Sequence, residues 1–259
     1  MSETSQPIRT RRRLILVGSA LALVALVIVA EFSLRAIIRN EIEQNVRSNF
    51  GFSADQPIEV QLHGSSLLPA LSGRVGAVDI SIPNVTVAEG IEATLRASAD
   101  SMPFDPSTGE IVNAKASVTI PASSMDEVVK LATNGVASSG RVKNGEIAVG
   151  TTLNLFGVES KLSTTLALSV QSGDVLITPT SVQAAGFDLK AEQIKPLLGE
   201  ASAGLIDDHV VCVRNLMPVG IELTNIALTQ NPQGGAATVS VSIAQDIFSN
   251  PAQMNTGTC

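Results

Sequence analysis

With 259 residues, 44% of them hydrophobic and 16% charged, the chain is too apolar to be disordered and long enough to bury a substantial core in one large or two small domains. Trp and Tyr are absent and Phe numbers seven, so that core has to be built from Val, Ile, Leu and Ala. Residues 1–30 carry Arg9, Arg11, Arg12 and Arg13 against Glu3 alone, whereas the rest of the chain holds 13 basic and 23 acidic residues. An acidic body of this kind repels phosphate backbones, which argues against nucleic acid as a partner.

Leu14 to Ala30 reads LILVGSALALVALVIVA, without a charge. At about 1.5 Å per residue this stretch spans roughly 26 Å as a helix, just under the thickness of a bilayer's hydrocarbon core. The four arginines before it keep the N-terminus in the cytoplasm and send everything after Ala30 across the membrane. A cleaved signal sequence is the competing reading. Its apolar stretch is normally about 7–15 residues, and Ile28-Val29-Ala30 is a mediocre cleavage site, so an uncleaved anchor fits better. The expected organisation is a basic cytoplasmic tail (1–13), a transmembrane anchor or signal segment (14–30) and an extracytoplasmic domain (31–259) in the periplasm or cell wall, secreted if the segment is removed.

Residues 31–50 contain no Pro or Gly, and Leu34, Ile37, Ile38, Ile42 and Val46 recur near helical spacing. The spacing predicts that the same helix leaves the membrane, lays an apolar stripe on the domain's sheet and stops at Gly51.

From residue 56 the period changes to two. Val78, Ile80 and Ile82 alternate with Asp79 and Ser81, and the same alternation recurs at Val118 and Ile120, at Leu162 to Val170, at Val175 and Ile177, at Val211 and Val213, at Ile221 and Leu223, and at Val239 to Ile243. Such alternation gives each strand one buried and one wet face, as in antiparallel sheet. Pro83-Asn84, Pro106 to Gly109, Asn144-Gly145, Ser172-Gly173-Asp174 and Gly234-Gly235 are the expected turns. Three helices interrupt the strands: one or two turns over Ser65–Leu71, where Pro69 limits length; Ser123–Asn134, with Asp126 and Glu127 in its first turn and Gly135 as its stop; and Ala191–Leu205, weakened by Pro196 and Gly199. The fold class that results is α+β: an N-terminal apolar helix, then a curved, mostly antiparallel sheet wrapping a few helices, as one elongated domain.

Cys212 and Cys259 are the only cysteines. In an oxidising compartment they are expected to pair, closing a loop of about 48 residues worth roughly 4 kcal/mol in the chain-entropy model. Asp207, Asp208 and His209 form the one cluster with metal or catalytic potential, and such clusters are more often solvated loops. No G-x-S-x-G elbow, P-loop, G-x-G-x-x-G or H-E-x-x-H occurs, so neither a catalytic residue nor a metal or cofactor is expected, and the protein is expected not to be an enzyme.

The stretch Ile58–Asn84, IEVQLHGSSLLPALSGRVGAVDISIPN, places a strand ending in Gly, a short apolar helix and a second strand in the order that resembles the LmeA family of actinobacterial phospholipid-binding proteins. SVTIPASSMDEVVKL within Ala116–Leu131 and Asn215–Leu228, NLMPVGIELTNIAL, resemble that family's later strand–helix and strand-pair segments. The resemblance implies phospholipid and membrane as partners, a curved sheet with an apolar groove, and a role in envelope lipid or lipoglycan maintenance. Leu67, Leu68 and Leu71 on the short helix, with Val129 and Leu131 on the next, are the candidate lipid contacts. An anchored scaffolding domain that works through protein partners is the alternative.

Overall fold

The computed structural model describes residues 8–133, 135–155, 158–184, 187–189, 208–230 and 235–259. Helix α1 runs unbroken from Ile8 to Phe50, through the apolar stretch and on into the domain, and ends where Gly51 takes a left-handed conformation (φ +67°). Of its outer stripe, Leu34, Ile38 and Ile42 pack against Val60, Leu62, Val75 and Val78, while Ile37 faces solvent.

The strands divide between two large sheets and one ribbon, and every pairing among the described residues is antiparallel. The first sheet begins as a meander of β1 (Glu59–Leu62), β3 (Val78–Ala88), β4 (Ile91–Ala99) and β6 (Lys115–Pro121). Helix α2 (Leu67–Ala70) fills the β1-to-β3 connection, together with β2 (Arg74–Val75). That strand pairs with β5 (Met102–Pro103) as a ribbon at the same end of the sheet. After β6, Ala122–Ser124 forms a 3₁₀ turn that leads into α3 (Met125–Ala132). The Ser124 hydroxyl does not cap α3. It accepts the Glu92 amide instead and ties the helix to β4.

The second sheet is another meander: β7 (Ser139–Lys143), β8 (Glu146–Leu155), β9 (Val158–Gln171) and β10 (Asp174–Ala184), with β11 (Phe187–Leu189) and β12 (His209–Val211) both paired to β10. Its hairpins at Asn144-Gly145 and Ser172-Gly173 have positive φ at both turn residues, the geometry that matches strand twist. The chain then returns to the first sheet as a hairpin, β13 (Ile221–Thr229) and β14 (Ala236–Ile243), with β14 against β6. The helix expected over Ala191–Leu205 lies outside the described residues, as do Asn134 and Gly234.

Pro83-Asn84 is not a turn. Strand β3 continues through it, absorbing the pair as a bulge between Ile82 and Val85, with Asn84 at φ +54°. The reversal comes later, at Glu89-Gly90, where Gly90 has φ +72°.

Among the described residues, two apolar clusters hold the domain. One sits between α1 and the β1–β3 edge, around Ile38, Val60 and Val78. The other joins the sheets: Met125 and Val129 of α3 meet Val142, Ile147, Val149 and Leu166 of the second sheet, and Ile120, Leu228 and Ala237 of the first pack onto them. The expected disulfide is present, with Cys212 and Cys259 5.9 Å apart at Cα. It lies where the chain passes from β12 in the second sheet to β13 in the first. There the C-terminal residues run back along 217–220 through Val219–Asn255 and Gly257–Met217 backbone hydrogen bonds.

Candidate functional site

Period-two alternation sorts the first sheet into two chemically distinct faces. Register carries one apolar row from Ile80 through Ala97, Ala116 and Val241 to Leu223, and a second from Ile82 through Leu95, Val118 and Val239 to Ile226. At about 4.8 Å between strands each row crosses roughly 19 Å of sheet. Ile82 and Leu223 are buried, but Leu95, Ala97, Ala116, Val118, Val239 and Val241 are only half-buried. Among the described residues they belong to neither apolar cluster: α1 seats on one side of them, and α3 with the second sheet on the other.

The opposite face is polar. Glu59, Gln61, Asp79, Ser81, Arg96 and Lys115 line a depression of about 580 Å³, which also touches Ile80, Ala97, Ala116 and Val241 of the first row. A second hollow of about 330 Å³ continues along it past Thr94, Thr119 and Glu92. Mixed charges and hydroxyls suit water or polar groups, whereas hydrocarbon favours the apolar rows behind them.

The end of the sheet nearest the apolar segment is organised by Glu31, the first charged residue after Ala30. Its carboxylate accepts the backbone amides of Ser66 (2.6 Å) and Leu67 (3.1 Å) and the Ser65 hydroxyl (3.0 Å), taking the place of a side-chain cap on α2. The Ser66 amide is the main reason that this carboxyl is held at a pKa of about 2. Arg35, one turn on, pairs with Glu31 at 3.3 Å and donates to the carbonyls of Leu62 and Gly64. Farther up the helix Arg47 donates to the carbonyls of Ser53 and Gln56. Residues 53–66 thus run back along α1 toward the apolar segment and end against it at α2.

The structure separates the candidate lipid contacts. Leu68 and Leu71 are 71% and 86% exposed on α2 and the residue after it, with Leu67 half-buried beside them. Val129, 4% exposed, is a core residue of the joint between the sheets, and Leu131 projects into solvent at 65%. α2 and α3 sit at opposite ends of the β3–β4 hairpin: Pro69 lies near Gly76, before β3, whereas Glu127 lies against Gly90, in the hairpin's turn. One patch therefore cannot include both. Sequence reasoning passed over Glu31 and Arg35, whose signal was a Glu–Arg pair at helical spacing directly after an apolar run. It also passed over the lateral rows, which emerge only once the strand register is known. His209 is half-buried at the start of β12 and Asp207 lies outside the described residues; His63, on the β1–α2 connection, meets Asp79 at 2.7 Å on the surface.

The described residues thus combine a long apolar helix with antiparallel sheet, the first sheet keeping one apolar face only half-buried, an α+β class of domain. A family model described as LmeA-like phospholipid-binding matches residues 29–232, and the chain belongs to that family. No curated protein and no solved structure matches the chain significantly.

Proposed function

We propose that the protein is an extracytoplasmic phospholipid-binding protein of the cell envelope, held at the membrane by its N-terminal helix and active in lipid or lipoglycan maintenance without catalysing a reaction. The observation that carries this reading is the pair of half-buried apolar rows, Leu95–Val118–Val239 and Ala97–Ala116–Val241, lying outside both apolar clusters. Burying an acyl chain there is favourable at about 25 cal/mol per Å² of apolar surface. The four arginines before the apolar stretch and the Cys212–Cys259 bridge support an oxidising, extracytoplasmic location for the domain.

The test is the lipid content of the full chain purified in mild detergent, read by native mass spectrometry and by uptake of labelled phospholipid. The wild-type chain is expected to carry phospholipid. Val118→Arg and Val239→Arg are expected to lose it, while Lys115→Glu, on the polar face, keeps it. A folded wild-type chain that neither carries nor takes up phospholipid would favour the scaffolding alternative. Loss of cellular function in Asp208→Ala or His209→Ala, with folding intact, would reopen an enzymatic role.

A further inference from the structure

Three connections meet at the end of the first sheet that faces the apolar segment, and each exposes large apolar side chains. The α2 connection carries Leu68 and Leu71; Phe104, 52% exposed, follows the β2–β5 ribbon, where its amide bonds to Gly73; and Phe248, 55% exposed, lies past the end of β14. Leaving four large apolar groups in water at one end of a domain is unfavourable.

The helix fixes where this end sits. Glu31 clamps the start of α2 against α1 at the residue where the apolar stretch stops. A 17-residue span reaches about 26 Å, so residues 31–33 fall at the boundary between hydrocarbon and headgroups. Phe32 is exposed at this level as well. α2 cannot lie far above that boundary while its amides remain bonded to Glu31. From there β3 carries the sheet away from the membrane, so the β3–β4 turn and α3 stand at the far end.

We propose that the α2 connection, the ribbon and the segment after β14 form a foot that sinks into the headgroup layer of the bilayer through Leu68, Leu71, Phe104 and Phe248. This inference rests on reading Leu14–Ala30 as a membrane span. The foot would fix the tilt of the domain and hold the half-buried apolar rows of the first sheet at the lipid surface.

The absence of native Trp makes the test direct. Single-tryptophan variants of the full chain, Leu71→Trp, Val24→Trp and Leu131→Trp, are reconstituted in phosphatidylcholine vesicles with and without phosphatidylcholine brominated near the glycerol end of its acyl chains. Bromine is expected to quench most of the emission at positions 24 and 71 and to leave position 131 unchanged. Quenching at 24 with none at 71 would overturn the foot and leave the span intact. No quenching at any position would remove the span, and the foot with it. Equal quenching at 71 and 131 would overturn the foot by showing that the domain has no preferred end toward the lipid.

Discussion

The carboxylate of Glu31 accepts the backbone amide of Ser66 at 2.6 Å, across 35 positions of sequence, and this contact fixes the short helix α2 to the long helix α1. A four-residue helix has no stability of its own, because its first amides have no partner within it. Glu31→Gln keeps one acceptor oxygen but loses the charge; Glu31→Ala loses both. Hydrogen exchange at the Ser66 and Leu67 amides should accelerate in Gln and further in Ala, while exchange in β9 and β10 stays unchanged. Equal protection in all three chains would show that α2 is held by its other contacts.

The same carboxylate sets an acid limit on this junction. Its folded-state pKa of about 2 lies below the ordinary 4.5, so the ionised form is the one that folding favours. The contribution is complete above about pH 4.5, shrinks as the pH falls from there, and is gone below about 2. Asp174 acts with the same sign: buried at the start of β10, it is held below its ordinary 3.8 by the side chain of Arg214 at 2.8 Å and by the Val213 amide. The melting temperature should therefore be flat with pH above the carboxylate range and fall as the pH drops through it. Asp174→Asn should lower the plateau and soften the acid slope. A slope unchanged by removing either carboxylate would assign the acid sensitivity to other groups.

Much of the fold is legible in the sequence because it depends on local chemistry. Val78, Ile80 and Ile82 identify a strand with one apolar face, and Asn144-Gly145 and Ser172-Gly173 identify two hairpins, since only certain residues tolerate positive φ there. Pro83-Asn84 misleads for a physical reason. Strand β1 starts at Glu59, opposite Ser81, so Pro83 lies past the ladder on that side and has no hydrogen bond there to lose. The Gln56 side chain instead donates to its carbonyl at 2.6 Å. The candidate site is less legible. The five leucine and valine candidates are apolar residues on helices, and the sequence does not say that Val129 is core while Leu68 and Leu71 are bare. The rows through Val118 and Val239 depend on which strands are neighbours, a long-range property that places the last hairpin beside β6.

The Cys212–Cys259 bridge closes a loop with a sequence separation of 47. In the chain-entropy model it raises stability by about 4 kcal/mol, which for a domain of this size corresponds to a melting point higher by roughly 10 °C. Reduction, or Cys212→Ser with Cys259→Ser, should cost close to that amount in a thermal melt. It should free residues 253–259 and loosen β12, leaving the α1–β1 cluster intact. A melt indifferent to reductant would mean that the backbone hydrogen bonds of Val219 and Gly257 hold the terminus unaided.

Gly140 is the tightest point in the joint between α3 and the second sheet. A Cβ there would run into the Val129 side chain and stand 3.0 Å from the Met125 carbonyl. The Gly140 amide also donates to Asp126 at 2.8 Å, so the strand cannot slide away without losing that bond. Gly140→Ala should therefore destabilise by about 1–3 kcal/mol, the usual cost of overpacking a filled core. Val129→Ala alone should cost on the order of 2 kcal/mol through lost burial and a cavity. Together the two should cost clearly less than their sum, because the second removes the atoms that the first strikes. Denaturant unfolding of the four chains measures that coupling. Strict additivity would show that Gly140 is required for its backbone and not for the room it leaves to Val129.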